Sequence, residues 1–122
     1  MKHMSRSHSI SFRHAWDGLS HATSTQPNFT VHLFLSTLVI LAGFILKISG
    51  LEWIIISLTI AIGLVIELVN TAIESTVDLI TRRYHRLAKI AKDTAAAAML
   101  VYALGAIVVA AIIFLPKIWL FI

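Results

Sequence analysis

The sequence predicts an all-α membrane protein: three transmembrane helices preceded by an amphipathic helix on the membrane surface. Two observations carry that reading. Of 122 residues, 58% are hydrophobic and 13% charged, against roughly 45–50% apolar and about 25% charged in a soluble domain. The apolar residues also fall into three long runs, 31–46, 51–80 and 94–115, divided by short charged or turn-forming stretches. Such a composition excludes a soluble enzyme and a disordered tail. The length suits one domain, residues 1–122. With no cysteine, the chain has no disulfide, no thiol nucleophile and no Cys-based zinc or iron–sulfur centre.

The first element is the surface helix, expected over about 9–22. Phe12, Ala15, Trp16 and Leu19 recur at i, i+3, i+4 and i+7, while Arg13, His14, Asp17, Ser20 and His21 fill the other face. A helix of that kind lies flat in the membrane interface. Thr23 to Asn28, with Pro27, is expected to break it. Span one, about 30–48, reaches the length of a crossing when Lys47 snorkels. It does not read as a secretory signal, because polar or mixed residues precede it and no small-residue cleavage site follows. Span two, about 51–80, is roughly 45 Å long at 1.5 Å per residue, well beyond a hydrocarbon core of about 30 Å. Its last turns must stand among headgroups or in water. Span three, about 93–115, is free of charge from Thr94 onward, and Pro116 and Lys117 are expected to end it. Trp53, Trp119 and Phe121 read as an aromatic belt at the outer interface.

Basic residues set the orientation. Lys2, Arg6 and Arg13 precede span one, and Arg82, Arg83, Arg86, Lys89 and Lys92 lie between spans two and three. Only Lys47 and Lys117 fall on the other side. By the positive-inside rule the N-terminus and the 81–92 loop are cytoplasmic and the C-terminus is outside. The net charge of +4 therefore points to anionic lipid and phosphates rather than nucleic acid.

Ionisable groups inside a span are expensive and default to function. Span two holds Glu67, Asn70, Glu74 and Asp78 and no lysine or arginine. Taking Glu67 as zero, they point to roughly 0°, −60°, −20° and +20°, one stripe stacked over about 16 Å of axis. A column of three carboxylates asks for a cation, and oxygen-only ligands suit magnesium shared with substrate phosphates. The plainer alternative is that these groups bond neighbouring helices and specify assembly. Lys92 is a point charge for phosphate, and with Asp93 it is expected beside a helix N-terminus whose free N–H groups add to the attraction. The alternative there is that Asp93 merely caps the helix. No glycine-rich P-loop is present, so a nucleotide would bind without one. His32, His14, His21 and His85 lack metal-ligand spacing and read as interfacial hydrogen-bonding residues.

The segment Glu67-Leu-Val-Asn70-Thr-Ala-Ile-Glu74-Ser-Thr-Val-Asp78, followed by Lys92-Asp93, resembles the signature of the small prokaryotic diacylglycerol kinases, integral-membrane lipid kinases unrelated to soluble kinases. The likeness includes Trp16-x-Gly18, Asn28-Phe29-x-x-His32, Glu52-Trp53 and Leu87-Ala88-Lys89-x-Ala91. The closing Ile113-Phe114-Leu115-Pro116-Lys117-Ile118-Trp119 is similar to the Gram-positive branch, whose members act mainly as undecaprenol kinases. The resemblance implies Glu67 as catalytic base, Glu74 as ligand of the magnesium that bridges the ATP phosphates, and Asn70 and Asp78 in the surrounding network. It implies Lys92 and Asp93 as nucleotide contacts with Arg83, Tyr84 and His85 beside them, and Trp16 on the substrate side. It also implies a homotrimer with sites between protomers, and three thin spans are indeed too few to enclose a four-group polar column. Gln26 stands where the family usually has a second metal-binding glutamate; it offers a carbonyl oxygen without the charge. Arg6 is the nearest counterpart of the family's N-terminal arginine.

The expected activity is therefore ATP-dependent phosphorylation of undecaprenol in a bacterial cell membrane, with diacylglycerol as the alternative substrate. Two readings of other classes stand beside it. A small cation transporter would use the carboxylate column as a path, but no ionisable residue lies deep in the outer half of any span. A membrane assembly protein explains the spans but not three aligned carboxylates followed by Lys92-Asp93.

Overall fold

The computed structural model describes residues 12–120 and 122, and these contain four helices: α1 (Phe12–Thr25), α2 (Pro27–Ile45), α3 (Gly50–Ile80) and α4 (Arg86–Trp119). The last three are long and apolar enough to cross a membrane, and the all-α prediction holds. Arg6, the first residues of the expected surface helix and Phe121 of the aromatic belt lie outside the described residues.

Several boundaries differ from expectation, each for a local reason. α1 runs on through Thr25, because Thr23, Ser24 and Thr25 turn their hydroxyls onto the carbonyls of Leu19, Ser20 and His21 at 2.7–2.9 Å. Only Gln26 is extended, and Pro27 opens the next helix at a position where its missing N–H costs nothing. α2 ends at Ile45 in a Schellman turn: the Ile48 N–H bonds the Gly43 carbonyl at 3.1 Å and the Lys47 N–H that of Phe44 at 3.4 Å. Lys47 occupies the left-handed position, φ 50°, that glycine usually takes.

α4 begins at Arg86, seven residues before the expected start. Leu87-Ala88-Lys89 are good helix formers, and His85 caps them, its Nδ1 accepting from the Leu87 N–H at 3.2 Å. The helix also continues through Pro116 to Trp119. A proline so near the end forfeits one hydrogen bond, and the last turn is held from outside by Lys117, whose Nζ lies 3.1 Å from Glu52. The same Glu52 carboxylate accepts from the Ser49 N–H at 2.7 Å and closes a capping box at the start of α3. One carboxylate thus joins the start of α3 to the end of α4.

Beside this clasp sits the apolar cluster of Ile48, Ile56, Ile113 and Phe114. Trp53 packs against it: half-buried, it lies over Gly43 and against Phe44. At the other end Ala22 and Phe29 are buried where α1 and α2 meet the bundle. α3 and α4 make most of the interhelical packing. The remaining apolar faces point outward, as helices in hydrocarbon must. The apolar face of α1 is also open, Phe12 and Trp16 being 85% and 70% exposed.

Candidate functional site

α3 is an unbroken helix, so the residues at 67, 70, 74 and 78 share a stripe as the spacing predicted. Their environments differ sharply along it. Glu67 is 4% exposed and lines an apolar groove between α2, α3 and α4. Asn70 and Glu74 are half-buried and joined, the Asn70 Nδ2 donating to Glu74 Oε1 at 3.2 Å. Asp78 is exposed and bonded across to α4, where the Lys92 Nζ approaches its Oδ1 to 2.6 Å.

Asp78 and Lys92 line a cleft of about 230 Å³ at the ends of α3 and α4. Arg83, Tyr84, His85 and Asp93 line it as well, so six residues singled out from the sequence converge there. Arg82 and Lys89, which the sequence supplied only as loop charges, join them. Four cations against two carboxylates make a cleft that favours phosphate. Thr81 shapes its floor by accepting the Arg83 N–H on its hydroxyl at 3.2 Å.

Two expectations about this cleft change. Lys92 and Asp93 do not sit at a helix N-terminus; with α4 starting at Arg86 their N–H groups fall inside the helix. Asp93 is accordingly no cap, and instead pairs with Lys89 one turn earlier. Trp16 and Gln26 are not brought to the column. Trp16 lines neither cavity, and the Gln26 side chain bonds its neighbour Thr25 at 3.2 Å.

Magnesium can be tested against these side chains. Among the described residues no three His, Asp or Glu side chains come close enough to cage a metal. Magnesium rarely needs such a cage, since it is held by one or two carboxylates and by substrate phosphates. The Asn70 Oδ1 is buried without a hydrogen-bond partner. A carboxylate only accepts, so the amide nitrogen faces Glu74 and leaves this oxygen free. Glu74 with the orphaned Asn70 oxygen is a hard, all-oxygen donor set, and it fits a cation completed by phosphate.

The groove holds what the sequence did not disclose. It measures about 540 Å³, within the range of small-molecule pockets. His32 of α2 stacks on Tyr102 of α4, ring centroids 5.6 Å apart and planes at 16°. The Tyr102 hydroxyl donates to the Thr59 carbonyl at 2.6 Å, and Gly63 leaves the space in which both rings lie. The signals were a tyrosine and a glycine within apolar runs and a histidine at a span's head, none decisive alone.

A profile of the prokaryotic diacylglycerol kinases matches residues 13–114. The chain belongs to that family. Its members are membrane lipid kinases, and three helices of this chain are long and apolar enough to cross a membrane. An undecaprenol kinase of Bacillus subtilis is 46% identical over 107 residues, 88% of this chain and 87% of that protein. A diacylglycerol kinase of Synechocystis is 44% identical over 108 residues, 88% of this chain but 62% of the longer relative. A diacylglycerol kinase of Escherichia coli is 28% identical over 106 residues, covering 87% and 84% of the two chains.

Proposed function

We propose that the chain is an ATP-dependent undecaprenol kinase, which transfers the γ-phosphoryl group to the lipid hydroxyl and yields undecaprenyl phosphate and ADP. The observation that carries this is the position of Glu67. A buried carboxylate stands on the wall of an apolar groove, on the same helical stripe that ends in a cation-rich cleft. A lipid alcohol and a nucleotide approach such a column from opposite ends.

In the reaction the hydroxyl oxygen forms a bond to the γ-phosphorus, the bridging P–O bond to the β-phosphate breaks, and ADP leaves with the electron pair. Glu67 accepts the hydroxyl proton. Lys92, Arg82 and Arg83 hold the polyphosphate and spread its charge, with Tyr84, His85 and Asp93 walling the nucleotide. Asn70 orients the Glu74 carboxylate, and those two residues would hold magnesium, which supplies charge neutralisation on the phosphates. Water exclusion falls to the groove walls and to neighbouring protomers. A homotrimer in the cell membrane, with the cleft on the cytoplasmic side and the C-terminus outside, accounts for the basic cleft, the open apolar faces and the lack of a closed ligand set in one chain.

Diacylglycerol is the second reading, favoured by the naming of the Synechocystis and E. coli relatives. The deciding experiment is transfer of labelled γ-phosphate from ATP to undecaprenol and diacylglycerol side by side in mixed micelles. Faster labelling of undecaprenol is expected. Faster labelling of diacylglycerol keeps the mechanism and changes the substrate, and labelling of neither at high magnesium overturns the kinase reading.

Position 26 gives a separate test. One chain does not bring Gln26 to the Glu74 column, so position 26 reaches the metal only from a neighbouring protomer of the trimer. Gln26→Glu would then add a carboxylate there, and the magnesium concentration for half-maximal activity should fall several-fold, since hard cations follow ligand charge. An unchanged magnesium titration would remove position 26 from the metal.

A further inference from the structure

The groove between α2, α3 and α4 runs outward from Glu67 for about eleven residues of α3, roughly 17 Å of axis. Its walls are mainly aliphatic, and Ala103, Ala106 and Ala110 keep the α4 side low. The stacked His32 and Tyr102 rings interrupt this wall. Gly63, beneath them, is one helical turn from Glu67, so the rings stand about 6 Å along the axis from the carboxylate. Their position is fixed from three helices at once: stacking joins α2 to α4, the Tyr102 hydroxyl ties α4 to the α3 backbone, and a Cβ at Gly63 would overlap both rings. Among the described residues no other aromatic side chain lines the groove, and neither ring lines the cation-rich cleft.

We infer that the His32–Tyr102 pair is the specificity-determining surface of the acceptor site, a flat shelf that admits a single unsaturated polyprenyl chain and disfavours a two-chain glycerolipid. The inference rests on the lipid-kinase reading of Glu67. With the acceptor hydroxyl at Glu67, the shelf meets the segment of lipid immediately behind it. In a polyprenyl alcohol that segment holds planar, polarisable double bonds, which lie flat on an aromatic surface. In diacylglycerol the chain has already branched there into two esters, whose width and carbonyls have no matching space or donor, because the Tyr102 hydroxyl is engaged by Thr59. The apolar groove continues beyond the shelf and takes the rest of one chain. His32 and Tyr102 are thus positioning residues that choose the lipid, while Glu67 performs the proton transfer.

The test uses the full-length protein in mixed micelles with undecaprenol, its analogue saturated in the hydroxyl-bearing isoprene unit, and dioleoylglycerol. Tyr102→Leu keeps apolar bulk but removes the flat ring. Its kcat/KM ratio of undecaprenol to each of the other two alcohols should fall roughly three- to tenfold, the range of an aromatic contact, with KM for ATP unchanged. His32→Leu should shift the ratios the same way, and Tyr102→Phe, which retains the ring, should keep most of the selectivity. If Tyr102→Leu lowers kcat/KM for all three lipids in parallel, the pair only holds the helices and the inference fails. A change in oligomeric size accompanying that parallel loss would identify a second copy of the chain as the occupant of the groove, which also overturns it. Wild-type protein that phosphorylates no alcohol would refute the kinase reading beneath it, whereas wild-type activity with unmoved ratios refutes the shelf alone.

Discussion

Glu67→Gln is expected to lower phosphoryl transfer to any lipid alcohol by about a hundred- to ten-thousandfold, the usual contribution of a positioned general base. The substitution is nearly isosteric and removes only the capacity to take a proton. The Thr71 hydroxyl bonds the Glu67 backbone carbonyl at 3.0 Å rather than its carboxylate, so no hydrogen bond of the helix depends on the charge. Burying an unpaired carboxylate is costly, and a neutral amide of the same shape removes that cost, so thermal unfolding in detergent should show no loss. ATP should still bind, because the cation-rich cleft lies about three turns away along α3. The effect belongs in kcat. A variant that phosphorylates undecaprenol undiminished would leave Glu67 without a catalytic task and turn attention to a base from another protomer.

Much of this site was legible because a membrane makes charge conspicuous. In hydrocarbon a carboxylate needs a reason, so Glu67 and Glu74 stood out against their neighbours and the helical period did the rest. The cleft was legible in part. Arg83, Tyr84, His85 and Lys92 converge as the sequence suggested, yet the geometry beside Lys92 changed because His85 starts α4 a full two turns early. A cap depends on one imidazole orientation, which periodicity does not encode. The clasp between Glu52 and Lys117 was hidden for a related reason: the two lie far apart in sequence, and Lys117 read as a helix stop. The His32–Tyr102 shelf was the least legible element. It depends on a void at Gly63 on a third helix, and an absent side chain leaves no periodic trace. Gln26 and Trp16 show the reverse case, residues that family resemblance marks but that one chain does not bring to the column.

Lys92→Met should raise KM for ATP about ten- to a hundredfold, in the range of a lost hydrogen bond to a charged partner, while KM for the lipid stays unchanged. Lys92 and Asp78 are each close to half exposed, so their 2.6 Å pair contributes little to holding α3 against α4. Its value lies in the field it creates. With lysine present, Asp78 is neutralised and the cleft keeps an excess of positive charge for the polyphosphate. With methionine, the same carboxylate faces the phosphates unpaired and repels them. The double substitution Lys92→Met with Asp78→Asn should therefore bind ATP better than Lys92→Met alone, recovering part of the loss without restoring a cation. Salt discriminates further: attraction by the cleft weakens as ionic strength rises, so the wild-type KM for ATP should climb with salt more steeply than that of the single variant. Loss of unfolding temperature with an unaltered KM would instead make Lys92 a tie between two helices, and the nucleotide would have to be held by Arg82, Arg83 and Lys89 alone.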